Sequence, residues 1–397
     1  MTNLLTTDEK SNRMQTACTY FETHLNVERK NQMVNPTYVD FSIYPYCNLR
    51  CDFCYAEAEC ESTISNHLLK VSDFEDIFEQ FDQIGILRVG FEGGEPFLRK
   101  DWFEILKLAD KHYFNYFVNT NATMIDESIA KKLAQTNVDR ICVSLDGPTA
   151  QIHDKSRGKS GTFELTKRGI INLMNCGIAV DGIITLTKYN VNYIPETLEL
   201  MHELGIHEAA IMLLATVGNA KKNVRDCYLT YGELKQFILQ MTDLKKQKKL
   251  PVSLRIVPVE EGQLPWELYW PLYETGRAED IKYWVKEDLY YTSTENSFGC
   301  TAGKDNFFVN AFGDVYGCSM MSSIPELKAG NIKEHSLIDI WENSKVFSQL
   351  RDISIKDIKG ACKNCSIMKW CKGGCRGCTF AATKDLIESD GRCPYAR

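Results

Sequence analysis

Residues 47–54 read Cys47-Asn48-Leu49-Arg50-Cys51-Asp52-Phe53-Cys54, with Tyr55 following. A C-x3-C-x2-C triad is one thiolate short of saturating a four-iron cluster. As iron–sulfur ligands, these cysteines would hold three corners and leave the fourth iron open to an exogenous chelating molecule. Zinc is the poorer reading: structural zinc sites match one cysteine pair with a second, catalytic sites recruit histidine, and no histidine lies near the triad. A second group closes the chain, as Cys300-x12-Gly313-x4-Cys318, then Cys362-x2-Cys365-x5-Cys371-x3-Cys375, and finally Cys393.

Composition supports metal ligation over disulfides. The 397 residues contain 16 cysteines, eight of them after residue 299, in a chain long enough to bury a core without covalent staples. Cys142, Cys176 and Cys227 are scattered singles and read as ordinary buried cysteines. The net charge of −7 disfavours nucleic acid as a partner, and the run Lys245-Lys246-Gln247-Lys248-Lys249 reads as a solvated helix end. Residues 1–30 are polar, without the apolar run of a signal peptide, and no stretch approaches the ~18 apolar residues of a membrane span. The expected location is the cytoplasm, with no membrane partner.

The elements that must position these residues alternate. Apolar or β-branched runs at 38–44, 88–91, 116–119, 140–145, 180–186 and 209–214 read as strands. Amphipathic stretches near 72–84, 102–112, 126–136, 162–176 and 194–205 read as helices. About thirty residues per unit is the period of βαβ crossovers, which predicts a parallel sheet. Six units are too few for a closed eight-strand barrel, so the expected fold is α/β, an open partial (β/α)6 barrel. Chemistry in such folds sits at the C-terminal ends of the strands. The triad follows the first strand there, Gly93-Gly94-Glu95-Pro96 the second, Thr120-Asn121-Ala122 the third, and Ser144-Leu145-Asp146-Gly147 the fourth. The expected organisation is an N-terminal extension over 1–36, the barrel over 37–240, a bridge over 241–297 and a cysteine-rich domain over 298–397. The bridge carries Trp266, Tyr269, Trp270, Tyr273, Tyr283, Trp284, Tyr290 and Tyr291. They read as packing residues, or as the wall of a substrate groove.

The triad with its Asn-Leu-Arg filler, followed by Gly93-Gly94-Glu95, resembles the signature of the radical S-adenosylmethionine (SAM) enzymes. The resemblance implies that Cys47, Cys51 and Cys54 carry the catalytic 4Fe–4S cluster and that Gly93, Gly94 and Glu95 bind the amino group of SAM. It also implies that Phe53 contacts adenine, that Ser144 contacts ribose, and that Arg157 meets the cofactor carboxylate. Asn121 joins this set, and Asn190 and the Val217-Gly218-Asn219-Ala220 turn lie where the later strands close over ribose and adenine. The implied reaction is reductive cleavage of SAM to a 5′-deoxyadenosyl radical, which abstracts a substrate hydrogen. Glycines at 93 and 94 suit a backbone that must approach a ligand closely.

The C-terminal pattern is similar to the SPASM domain, whose members carry two auxiliary clusters, so the resemblance implies three 4Fe–4S clusters in all. By analogy Cys362, Cys365, Cys371 and Cys393 hold the distal cluster, and Cys300, Cys318 and Cys375 most of the nearer one. Many members place a further cysteine shortly after the first, and residues 301–317 contain none. The nearer cluster then has an open iron, or is completed by Cys378 or a carboxylate. Ser319 stands where sulfatase-maturating members carry an aspartate, which argues against formylglycine formation. The leading expectation is oxidative modification or crosslinking of a ribosomally made peptide, with a reductant such as flavodoxin or ferredoxin and a separate leader-peptide-binding protein as partners. The alternatives are small-molecule or tetrapyrrole oxidation or decarboxylation, and a non-catalytic electron-transfer protein.

Overall fold

The computed structural model describes residues 35–58, 67–257, 265–285 and 299–396. The expected N-terminal extension, apart from its last two residues, and Tyr290 and Tyr291 lie outside them. Seven parallel strands follow one another in chain order: β1 (Tyr38–Tyr44), β2 (Arg88–Gly93), β3 (Asn115–Thr120), β4 (Arg140–Ser144), β5 (Val180–Leu186), β6 (Glu208–Leu213) and β7 (Ser253–Val257). The first six match the sequence expectation. The seventh falls in the stretch read as an aromatic bridge, where five residues of alternating burial carry too little pattern to stand out.

The sheet also grows past β1. β8 (Asn306–Val309) pairs with it in parallel, Tyr38 opposite Asn306 and Phe41 opposite Val309. β9 (Asp314–Tyr316) and β10 (Lys328–Asn331) continue antiparallel, giving the order β10-β9-β8-β1-β2-β3-β4-β5-β6-β7. The cysteine-rich region is thus joined to the barrel through a shared open sheet.

Alternation along the strands sorts the two faces. Phe41 of β1 and Phe91 of β2 turn outward onto the helix Val71–Ile84, whose Phe74, Phe78 and Phe81 recur at helical spacing and are fully buried. Phe307 of β8 joins the same ring cluster through Phe81 and passes it on to Trp341 and Phe347. At about 1.5–3 kcal/mol for each fully buried large apolar side chain, this seam is a main source of cohesion between the barrel and the C-terminal region. Asp40 and Glu92, one residue off Phe41 and Phe91, point the other way, into the barrel.

The bridging aromatics pack. Trp266, Tyr269, Trp270 and Trp284 are buried, Trp284 donates Nε1–H to Thr242 Oγ1 at 2.9 Å, and only Tyr273 of the described set is well exposed. Among the described residues, no helix is long and apolar enough to cross a membrane.

Candidate functional site

The loop 47–55 leaves β1 and is fastened by the ends of the other strands. Gly94 N–H donates to Tyr44 O at 2.7 Å and Glu95 N–H to Tyr46 O at 2.8 Å. Asn121 Nδ2, after β3, donates to Asn48 Oδ1 at 3.0 Å, and Asn48 Nδ2 donates to Thr123 Oγ1 at 2.8 Å. Beyond β4, Arg50 N–H reaches Arg157 O at 3.2 Å and Lys159 Nζ reaches Asn48 O at 3.1 Å. After β6, Asn219 N–H donates to Cys54 O at 2.8 Å and Asn223 Nδ2 to Asp52 O at 3.1 Å.

The loop itself gives a reason for glycine at two of these positions. Gly93 has a φ of +145°, and a Cβ there would overlap the Tyr44 carbonyl; a Cβ on Gly94 would overlap that of Tyr46. The close approach that requires glycine is to the chain's own loop. Gly218, at φ +55°, likewise lies against the carbonyls of Cys54 and Tyr55, so the Val217–Ala220 turn supports the triad from below.

Glu95 is fully buried and accepts from Phe97 N at 3.2 Å, Thr120 Oγ1 at 2.7 Å and Asn121 N at 2.9 Å. Burial lifts its carboxyl to about 7 against those donors. Its present task is to tie the ends of β2 and β3 together beside the triad.

Arg157 ends a short helix, Ala150–Arg157, that the sequence reading did not anticipate. Its guanidinium pairs with the buried Asp146 at 2.9 Å, donates to Cys51 Sγ at 3.9 Å and stacks over Phe53 at 5.5 Å, while its Nε is buried with no hydrogen-bond partner. Phe53 packs with Leu214, Ala220 and Cys227 in a small cluster of its own. Ser144 is half-buried at the end of β4. Asn190 stands apart: its amide is committed to the turn after β5, accepting from Thr187 N at 2.9 Å and donating to Thr185 O at 2.8 Å. Of the expected SAM contacts, the structure gathers Phe53, Gly93, Gly94, Glu95, Asn121 and Arg157 around the triad, and Asn190 faces its own loop.

Several further residues that shape the site were given no role in the sequence analysis. Asn48 and Asp146 anchor the loop and Arg157. Tyr55 donates its hydroxyl to Glu92 Oε1 at 2.6 Å, and Asn119 Nδ2 donates to Glu92 Oε2 at 3.3 Å. Burial, then the charge of Asp40, pushes Glu92 up to about 8; burial lifts Asp40 to about 6. The signal available in sequence was an isolated carboxyl or amide residue, Asp40, Glu92 or Asn119, inside a strand otherwise rich in apolar ones.

Burial raises two of the thiols, Cys47 to about 12 and Cys51 to about 11, with the Arg157 charge opposing it at Cys51. Leu49 N–H points at Cys47 Sγ at 3.4 Å. Three thiols, an N–H aimed at sulfur and a guanidinium with an unpartnered buried nitrogen form a donor set that fits a cluster with an anionic ligand beside it.

In the C-terminal region the cysteines fall into two groups. Cys375 acts electrostatically on Cys300 and Cys318, whereas Cys362 acts on Cys365, Cys371 and Cys393. Among the described residues, no three His, Cys, Asp or Glu side chains close on a point that a single metal ion would fill.

Comparison with known proteins agrees with this geometry. The radical SAM superfamily model matches residues 41–201, and SPASM, an iron–sulfur cluster-binding domain, matches residues 300–366. The chain is 29% identical over 360 residues to the AdoMet-dependent heme synthase of Methanosarcina barkeri, covering 91% of this chain and 97% of that one. It is 24% identical over 355 residues to the mycofactocin maturase MftC of Mycolicibacterium smegmatis, covering 87% and 80%. In structure it resembles Streptococcus suis SuiB bound to its precursor peptide SuiA, with a TM-score of 0.70 at 18% identity over 100% of this chain and 82% of that one.

Proposed function

We propose that this chain, a radical SAM enzyme with a SPASM domain, oxidatively modifies a peptide, forming a crosslink between side chains. Bound at the triad, SAM and a 4Fe–4S cluster would supply radical chemistry toward the substrate. Cys47, Cys51 and Cys54 would ligate the cluster, with Asn121, Arg157 and Glu95 holding their loop in place. Ser144 and Phe53 would line the nucleoside side.

The observation that carries the peptide reading is the barrel interior. Glu92 is buried against Tyr55 and Asn119 with Asp40 nearby, and the Asn119 Oδ1 is buried without a partner. An interior of carboxyl groups and an unsatisfied carbonyl oxygen welcomes N–H donors, which a peptide carries at every residue other than proline.

A tetrapyrrole reading draws on a different observation, the near full-length match to the heme synthase of M. barkeri. The two readings differ in product mass. The reconstituted protein, incubated without oxygen with SAM, a reductant and a short peptide encoded beside its gene, should release 5′-deoxyadenosine and leave a peptide lighter by a pair of hydrogens. Loss of carbon dioxide from an iron–porphyrin carboxylate, with the peptide untouched, would overturn the peptide reading. A flavodoxin or ferredoxin is the proposed electron donor, and a separate protein is proposed to present the peptide leader.

A further inference from the structure

The nearer cysteine group is incomplete as the family pattern has it: Cys300, Cys318 and Cys375 supply three sulfurs, and no cysteine occurs from 301 to 317. The helix Arg376–Thr383 supplies another thiol at the right place. Cys375 caps that helix, and Cys378, on its first turn, donates its backbone N–H to Cys375 Sγ at 3.5 Å. Cys378 is buried there, 2% exposed. The same turn packs on the segment that follows Cys318, close enough that a Cβ on Gly377 would meet Met320 at 3.5 Å. The carboxylate beside this group is already engaged: Asp390 accepts from Cys375 N at 3.1 Å and is held by Arg392 at 2.6 Å. That leaves Cys378 as the thiol that adjoins the group.

We propose that Cys378 is the fourth protein ligand of the nearer auxiliary cluster, held with Cys300, Cys318 and Cys375. A cluster with four cysteine ligands has no iron free for substrate, so its role is to pass electrons. The C-x2-C pair on one helical turn replaces the cysteine that related chains place early in the domain.

The test compares iron and acid-labile sulfide in the reconstituted full chain with those in Cys378→Ala, and in Cys142→Ala as a control for losing a buried cysteine remote from both groups. Each protein is reduced and examined by electron paramagnetic resonance, with a thermal melt to establish that it is folded. The expected result is that Cys378→Ala alone loses or converts one C-terminal cluster, dropping by about one to four irons per chain. The triad signal and the SAM-induced change in it should remain. Cys378→Ser should recover part of the iron with an altered spectrum, because a serine oxygen can ligate and an alanine methyl cannot. Wild-type iron content and an unchanged auxiliary spectrum in a folded Cys378→Ala would overturn the assignment, and so would a change in the wild-type auxiliary spectrum on adding peptide substrate that reports direct binding to iron.

Discussion

The two cysteine regions are built on opposite plans. The fastenings that hold the triad loop to the rest of the barrel come from far along the chain: Asn121 to Asn48 spans 73 residues, Arg157 to Cys51 spans 106, and Asn223 to Asp52 spans 171. From Cys362 to Cys371 the C-terminal cysteines are held by nearer residues. Cys365, Met368 and Cys371 donate backbone N–H groups to carbonyls three or four residues back, and Arg376, fully buried, donates to Leu386 O and Glu388 O. Cys362 N–H is met by Ser389 Oγ at 3.1 Å. The first plan costs loop-closure entropy that only the finished barrel offsets, and it yields a loop rigid enough to leave one coordination position available. The second closes short loops with little regular structure around them, and such a region draws its stability from bound metal.

Replacing Cys47, Cys51 and Cys54 together by alanine is the largest expected break in that comparison. Reductive cleavage of SAM should fall to background while the C-terminal iron stays, since the local fastenings of the second region do not touch the triad. Iron analysis together with chromatography of 5′-deoxyadenosine checks both halves. If the C-terminal iron is lost as well, the shared sheet couples the two regions more tightly than their hydrogen bonds indicate.

Gly94→Val sharpens the same contrast from the side of the backbone. A Cβ there overlaps the Tyr46 carbonyl, so the loop must move and the Glu95 N–H to Tyr46 O bond must lengthen. We expect a loss of more than about 4 kcal/mol in urea unfolding, in the range of severe core lesions, with SAM affinity lost as a consequence and the C-terminal clusters spared. Affinity lost at unchanged stability would return Gly94 to the role of a direct ligand contact.

The same division decides what was legible in the sequence. Cysteine spacing is local information, and the six-strand alternation is periodic, so 38–44 and 180–186 were readable to the residue. The pairing of β8 with β1 joins residues more than 250 apart, and nothing in Asn306–Val309 marks it as the next strand of a parallel sheet. Gly93 and Gly94 were visible as positions needing glycine, yet whether a ligand or the chain itself crowds them depends on where Tyr44–Tyr46 runs. Arg157 was placed near the cofactor by resemblance; its partner Asp146 stood in plain view after Ser144, but only the turn into the helix Ala150–Arg157 brings them together. Asn190 shows the converse, a polar residue at a strand end whose amide its own turn takes up.

Buried carboxylates extend the comparison to a pair of substitutions with opposite signs. Asp390, in the C-terminal region, is held by Arg392, whose charge and hydrogen bonds overcome the effect of burial and keep the carboxyl below its ordinary value. Its stabilisation is therefore present above the unfolded value of 3.8 and is lost as the pH falls below it. Asp390→Asn leaves Arg392 with Glu267 at 3.1 Å as its paired carboxylate and the Leu214 carbonyl at 3.4 Å, and should cost about 3 kcal/mol near neutrality. Glu92, in the barrel, has only the uncharged Tyr55 and Asn119 as hydrogen-bond partners, and burial, aided by the Asp40 charge, holds its proton to about 8. Between the unfolded value of 4.5 and about 8 the folded state keeps a proton that the unfolded chain has released. Stability must then decline with rising pH across that window, by at most about 1.4 kcal/mol per pH unit for this one group. Glu92→Gln keeps the shape and removes the charge, so its urea midpoint should equal or fall below the parent's near pH 5 and exceed it near pH 9. A mutant that tracks the parent in parallel over that range would mean that Glu92 is already ionised at neutral pH and that the barrel interior presents a fixed negative charge to its substrate.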